Sequence, residues 1–131
     1  MRRLATLWVI ATVSASAAGC GQKERPSPLV VCQKLEGAGV ASDCHRGTPF
    51  GPGAGAVQSA DFELAAVPEH EGAVYLFPDV ASYDKAVDAF AAWPIKGPYR
   101  YGSRKMLIFV DLSPDTPSDV ASKAKRVVDA L

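Results

Sequence analysis

Apolar positions change their spacing from one segment of this chain to the next, and the spacing predicts its elements. From Leu4 to about Ala18 the apolar and small residues run on with no charge among them. Farther along, Val31, Cys32 and Leu35 share a helical face, with Ser27 placed to cap that helix and Pro28 to open it. Gly39 stands where a left-handed C′ residue ends a helix. That puts Leu35 at C3 and Val40 at C″, the apolar pair of a Schellman ending, and predicts a helix over residues 28–38. VASDCHR (40–46) then reads as a short extended segment returning along the helix.

After the loop GTPFGPGAGAVQSA (47–60), the extended runs DFELAAV (61–67) and AVYLF (73–77) flank PEHEG and predict a hairpin. Asp79 opens a helix in which Val80, Tyr83, Val87 and Phe90 recur at helical spacing, and Pro94 stops it shortly after Trp93. PYRY and MLIFVDL form a second hairpin around GSRK, the latter run apolar on both faces as in a central strand. Thr116 caps and Pro117 opens a last helix, with Val120, Ala124, Val127 and Leu131 as its core stripe. Lys123, Lys125 and Arg126 lie toward its C-terminal end, where the helix dipole favours cations. The predicted fold class is α+β: an antiparallel sheet of four to five strands with two to three helices on one face. DVASYDKAVDAF (79–90) also echoes DVASKAKRVVDAL (119–131), and each follows a hairpin. The echo fits a duplicated strand–strand–helix unit; the simpler account, preferred here, is that Asp-Val-Ala-Ser opens a helix well in an alanine-rich chain.

Arg2 and Arg3 in front of the first apolar run make it a secretory signal. It is shorter than the roughly 20 residues that cross a bilayer as a helix. Its end, Ala17-Ala18-Gly19-Cys20, resembles the lipobox of bacterial lipoproteins, although Ala17 stands where that family usually has Leu, Val or Ile. The resemblance implies that Cys20 is lipidated and becomes the mature N-terminus, with a diacylglycerol and often an amide-linked acyl chain such as palmitate holding the protein to the lipid bilayer. Gly21, in place of the Asp that marks inner-membrane retention, favours the periplasmic face of the outer membrane in a Gram-negative source. Ala15-Ser16-Ala17 offers the alternative of an ordinary signal-peptidase site, giving a soluble secreted protein cleaved after Ala17.

The cysteine count bears on that choice. The chain has three, Cys20, Cys32 and Cys44, and an odd count in an exported protein leaves a thiol over. Lipidation of Cys20 removes it from the count and leaves Cys32 and Cys44 as one disulfide. The expected organisation is a removed signal peptide (1–19), a lipidated Cys and short tether (20–28), and a single α+β domain (29–131).

Charge and candidate chemistry narrow the picture further. Fourteen basic and fourteen acidic residues balance; without Arg2 and Arg3 the mature chain has twelve against fourteen, which gives no argument for nucleic acid. Cys32, Cys44 and His45 read as a disulfide beside a histidine rather than a zinc site, whose cysteines are commonly closer and whose ligands number four. The haem signature C-x-x-C-H is absent. Gly51, Gly53 and Ala56 match the loosest dinucleotide fingerprint but lack a strand before and a helix after them, and read as flexible chain. No cofactor and no metal are expected.

His45 and His70 have no nucleophile motif beside them, and Asp61, Glu63, Glu69 and Glu71 lack calcium-loop spacing and read as a solvated hairpin. The most suggestive stretch is WPIKGPYRYGSRK (93–105). There Lys96, Tyr99, Arg100, Tyr101, Arg104 and Lys105 form a candidate surface for an envelope protein or an anionic glycan or lipid. The competing reading is a charged edge strand with its aromatics turned to the core. The expected function is a membrane-anchored binding or structural module of the cell envelope. The alternative is a hydrolase-like envelope enzyme assembled from scattered residues, which a cleft of convergent polar groups with shifted pKa values would favour.

Overall fold

The computed structural model of the protein describes residues 24–94, 97 and 99–131; the expectations for residues 1–19, Cys20 and Lys96 lie outside the described residues. The elements run α1 (Pro28–Gly37), β1 (Ala41–Gly47), β2 (Gln58–Leu64), β3 (Val67–Leu76), α2 (Val80–Ala92), β4 (Arg100–Ser103), β5 (Ile108–Leu112) and α3 (Ser118–Asp129). The five strands form one antiparallel sheet in the order β1-β2-β3-β5-β4. The α+β architecture is therefore the one the hydrophobic pattern predicts. Among the described residues, no helix is long and apolar enough to cross a membrane.

Helix α1 begins and ends as its sequence requires. The Ser27 side chain accepts the Val30 N–H at 3.2 Å. Gly39, at φ +78°, takes the left-handed turn; its N–H donates to the Glu36 carbonyl and the Val40 N–H to the Leu35 carbonyl, both at 2.9 Å. Those two bonds are the Schellman pair, and Leu35 and Val40 are both fully buried. Cys32 of α1 and Cys44 of β1 are disulfide-bonded, with Cα atoms 6.0 Å apart and a sequence separation of 12. Closing so short a loop stabilises by roughly 3 kcal/mol in the chain-entropy model.

Strand alternation places two apolar layers on opposite faces of the sheet. On one face Phe62 and Leu64 of β2, Val74 of β3 and Ile108, Val110 and Leu112 of β5 pack under α1 and α3. On the other, Tyr75, Phe77, Leu107 and Phe109 pack under Tyr83, Ala86 and Phe90 of α2. Phe90 stacks on Phe109 with ring centroids 4.6 Å apart, and Tyr83 meets Phe77 edge-on at 6.0 Å. Two helices thus share one face and the third covers part of the other.

The echo between the helices falls on different faces. Asp79 is the N-cap of α2, its carboxylate accepting the Ser82 N–H at 2.7 Å, whereas Asp119 lies inside α3. Val80 is 41 % exposed; its counterpart Val120 is buried. Strand–strand–helix does occur twice in order, yet a twofold axis normal to the sheet, the operation that would exchange β3 with β5, would leave both helices on one face.

Three local expectations shift. The turn between β2 and β3 is Ala65-Ala66, and PEHEG belongs to β3. Pro68 is tolerated because β5 pairs with β3 only over Gly72–Leu76, so no neighbour on that side needs its missing N–H. Helix α3 starts at Ser118, and the Thr116 hydroxyl donates to the Ser113 carbonyl at 2.6 Å instead of capping it. The loop after β1 carries a 3-10 turn, Gly51–Gly53, whose last residue is buried against the Tyr75 ring, where a Cβ would come within 2.3 Å. That glycine is there for close approach rather than for flexibility.

Candidate functional site

Helix α2 stops early on its face, and the sheet beyond it is polar. Pro94 forces Trp93 into an extended backbone, φ −64° and ψ 134°, which ends the helix. The register then sets one cross-strand row in the open: His45 pairs with Asp61, Asp61 with Ala73, Ala73 with Asp111, and Asp111 with Arg100. Directly paired residues project to one face, so the row carries two carboxylates, a guanidinium and an imidazole side by side on the α2 side of the sheet.

A cleft of about 290 Å³ lies over the Asp61, Ala73, Asp111 and Arg100 part of this row; His45 is not in its lining. Asp61, Glu71, Tyr75, Asp111 and Arg100 contribute its polar groups, and Phe50 and Trp93 stand on its lip. Gly51, at φ +57°, lets the loop bend there and brings its backbone against the Trp93 ring. Phe50 is 69 % exposed, the most exposed of the large apolar side chains among the described residues.

Arg100 is the fixed point of the site. Its Nε donates to Asp111 Oδ1 at 2.9 Å and its Nη1 to the Phe90 carbonyl at 2.7 Å, and the guanidinium lies 5.3 Å from the Phe90 ring centroid. It therefore neutralises Asp111 and satisfies a carbonyl in the last turn of α2, where the helix dipole favours a cation. Burial nevertheless holds the Asp111 carboxyl above its ordinary value, against the pull of Arg100. Burial likewise raises Asp61; Glu71 adds to the rise and His45 opposes it. Tyr75 is pushed up to about 12, first by burial and then by Asp111 and Asp61.

Asp61 and Glu71 are held differently from Asp111. Among the described residues neither carboxylate accepts a hydrogen bond or forms an ion pair. Asp61 leans over Gly47, where a Cβ would come within 2.5 Å of its carboxylate. His45 is engaged elsewhere: its Nδ1–H donates to the Asp43 carbonyl at 2.8 Å, which is the main cause of its raised pKa. Among the described lining residues, three carboxylates stand against one guanidinium, a net −2. No group of three or more His, Cys, Asp or Glu side chains converges to hold a metal ion among the described residues.

The candidate surface of residues 96–105 divides between the two faces. Tyr99 and Tyr101 pack against the core under α1 and α3, while Arg100 points to the other face and lines the cleft. Arg104, exposed, forms a two-pronged pair with Asp84 of α2 at 3.0 and 3.1 Å, and Lys105 is exposed in the turn before β5. This is the edge strand with its aromatics turned inward. His70 lies in β3 with its Nδ1 3.7 Å from Asp115, away from the lining of the cleft. Glu71 and Asp61, which read as a solvated hairpin, instead line the cleft, and Asp111 joins them from β5. A lone carboxyl inside the otherwise apolar run MLIFVDL was the signal for it.

No family model, curated protein or solved structure matches this chain.

Proposed function

We propose that this chain is a membrane-tethered binding module of the cell envelope whose ligand site is the cleft over the row Asp61–Ala73–Asp111–Arg100. The observation that carries the reading is the pair of carboxylates, Asp61 and Glu71, lining a cleft with aromatic walls and bonded to nothing within the described protein. The tether rests on the signal architecture, the likeness of Ala17–Cys20 to a lipobox, and the Cys32–Cys44 disulfide, which leaves Cys20 as the remaining cysteine. An outer-membrane, periplasm-facing position follows from Gly21 if the source is Gram-negative.

A second reading, an envelope enzyme, is favoured by one observation: two carboxyls in one cleft, both raised by burial. They flank β3, with backbones about 10 Å apart at normal strand spacing. Binding is preferred because Arg100 already occupies Asp111, which leaves Asp61 and Glu71 as the free acceptors.

The test is photo-crosslinking in intact cells. A benzophenone side chain placed at Phe50, on the cleft lip, is expected to capture a ligand in the envelope fraction. The same group at Val30, exposed on α1, is expected to capture none. Equal capture at both sites would overturn the cleft as the ligand site. Mass spectrometry of the purified N-terminus checks the tether, and an unlipidated chain starting at Ala18 would remove it.

A further inference from the structure

We infer that the cleft takes an organic cation, an ammonium or guanidinium on a short aliphatic stem, with its charge between Asp61 and Glu71 and its stem against Tyr75, Trp93 and Phe50. The inference rests on the cleft being the ligand site and names the chemistry of what fills it.

Charge selects the class. Arg100 and Asp111 neutralise each other, so among the described lining residues the uncompensated charge is that of Asp61 and Glu71, which have no hydrogen-bond donor among the described residues. An anion would meet this negative field with no free cation among the described lining residues to oppose it. A dehydrated metal ion would need three or more converging protein ligands, and the described residues supply no such group. An organic cation needs only carboxylates to receive its N–H donors and an apolar wall for its stem.

The walls supply the second half. Tyr75, Trp93 and Phe50 share the cleft lining with the carboxylates, and ring faces attract ammonium and guanidinium groups. Phe50 is left in water by the fold itself, and an aliphatic stem lying on it would remove that apolar surface from solvent. Size agrees: about 290 Å³ lies at the lower end of ligand pockets and suits one side-chain-sized group rather than an oligosaccharide. Free diamines and the basic side chains of a peptide share this chemistry.

Trp93 reports on the cleft directly, since the other tryptophan, Trp8, lies in the segment read as a removed signal peptide. The lipidated mature chain in detergent micelles is titrated with 1,5-diaminopentane, with blocked lysine and blocked arginine amides, and with pentanediol and glutarate as neutral and anionic counterparts. A saturable change in Trp93 emission is expected with at least one cation and with neither counterpart. Response to the diamine alone assigns a free amine; response to the blocked amino acids assigns a peptide side chain. Both support the inference.

Replacing both carboxylates, Asp61→Asn with Glu71→Gln, should weaken that binding by about tenfold or more, the factor expected for charge-assisted hydrogen bonds. A cooperative thermal transition no lower than the parent's shows that the variant folds, and Glu71→Gln alone serves where it does not. Pentanediol or glutarate binding as tightly as the cations would overturn the cation while leaving the cleft as a site. No saturable response, together with unmoved backbone amide signals at Gly72 and Ala73, would overturn the inference as well; capture at Phe50 in cells would then still identify the cleft.

Discussion

The two faces of one sheet are finished in different ways. Under α1 and α3, Phe62, Leu64, Val74, Ile108, Val110 and Leu112 are all essentially buried, and the disulfide pins α1 to the edge strand beside them. Under α2 the apolar layer covers only the rows of Tyr75, Phe77 and Phe109 before it gives way to Asp61, Asp111 and Arg100. Both faces belong to the same strands, so the contrast is not one of backbone stability. It lies in what alternate residues of each strand are asked to do: one set excludes water, while the other keeps carboxylates within its reach. A domain of this size can hold a polar cleft because its second face is anchored by a complete first one.

The largest expected effect comes from opening the sealed face. Phe62 lies over Gly72, where a Cβ would come within 2.4 Å of its ring, so the residue paired across from it has no side chain to fill its place. Phe62→Ala should cost about 3–5 kcal/mol in urea denaturation. Phe50→Ala, on the lip of the other face, should cost close to nothing. Comparable losses at both positions would mean that the lip is part of the core, and the contrast between the faces would fail.

An intermediate effect is expected at the hinge between the two regimes. Arg100 ties Asp111 to the Phe90 carbonyl, and with it the sheet to the last turn of α2. Asp111→Ala removes the carboxylate from a guanidinium that is only 14 % exposed, and should cost about 1.5–3 kcal/mol, the range for hydrogen bonds to charged groups. Amide hydrogen exchange should rise around Phe90 to Trp93 and stay unchanged in α1. Loss of protection spread evenly over both helices would show that the row is ordinary core.

The sealed face was legible in the sequence and the open one was not, for a physical reason. The ending of α1 is local: Leu35, Gly39 and Val40 lie within six residues, and the glycine forces the geometry. The disulfide follows from a count of thiols once Cys20 is read as lipidated. The polar row, by contrast, is a product of register, since nothing near Asp61 in the chain says that Ala73 and Asp111 will lie across from it. Alternation held the clue, because each of Asp61, Arg100 and Asp111 sits between two apolar residues, as a polar group on one face of a buried strand does. The aromatic–cationic stretch 93–105 divides for the same reason: residues adjacent in sequence on a strand point to opposite faces, so Tyr99 and Tyr101 lie on the other face from Arg100.

The smallest effect, and the most telling, is expected at Asp61, and its sign is opposite. Burial raises the Asp61 carboxyl above the ordinary 3.8, with Glu71 adding to the rise. The folded state thus holds this proton more tightly than the unfolded state, and the stability so gained is fully present below pH 3.8 and lost as pH rises through the raised value. At neutral pH the ionised Asp61 is a burden on the fold. Asp61→Asn should accordingly be slightly stabilising at pH 7 and bring no gain at pH 3, as read by paired urea melts, and the gain should shrink in a Glu71→Gln background. A loss at pH 7 would mean that the carboxylate serves the fold through an interaction it does not make here. A gain would mean that the fold tolerates a charge it would be more stable without, which is the mark of a group kept for something outside the protein.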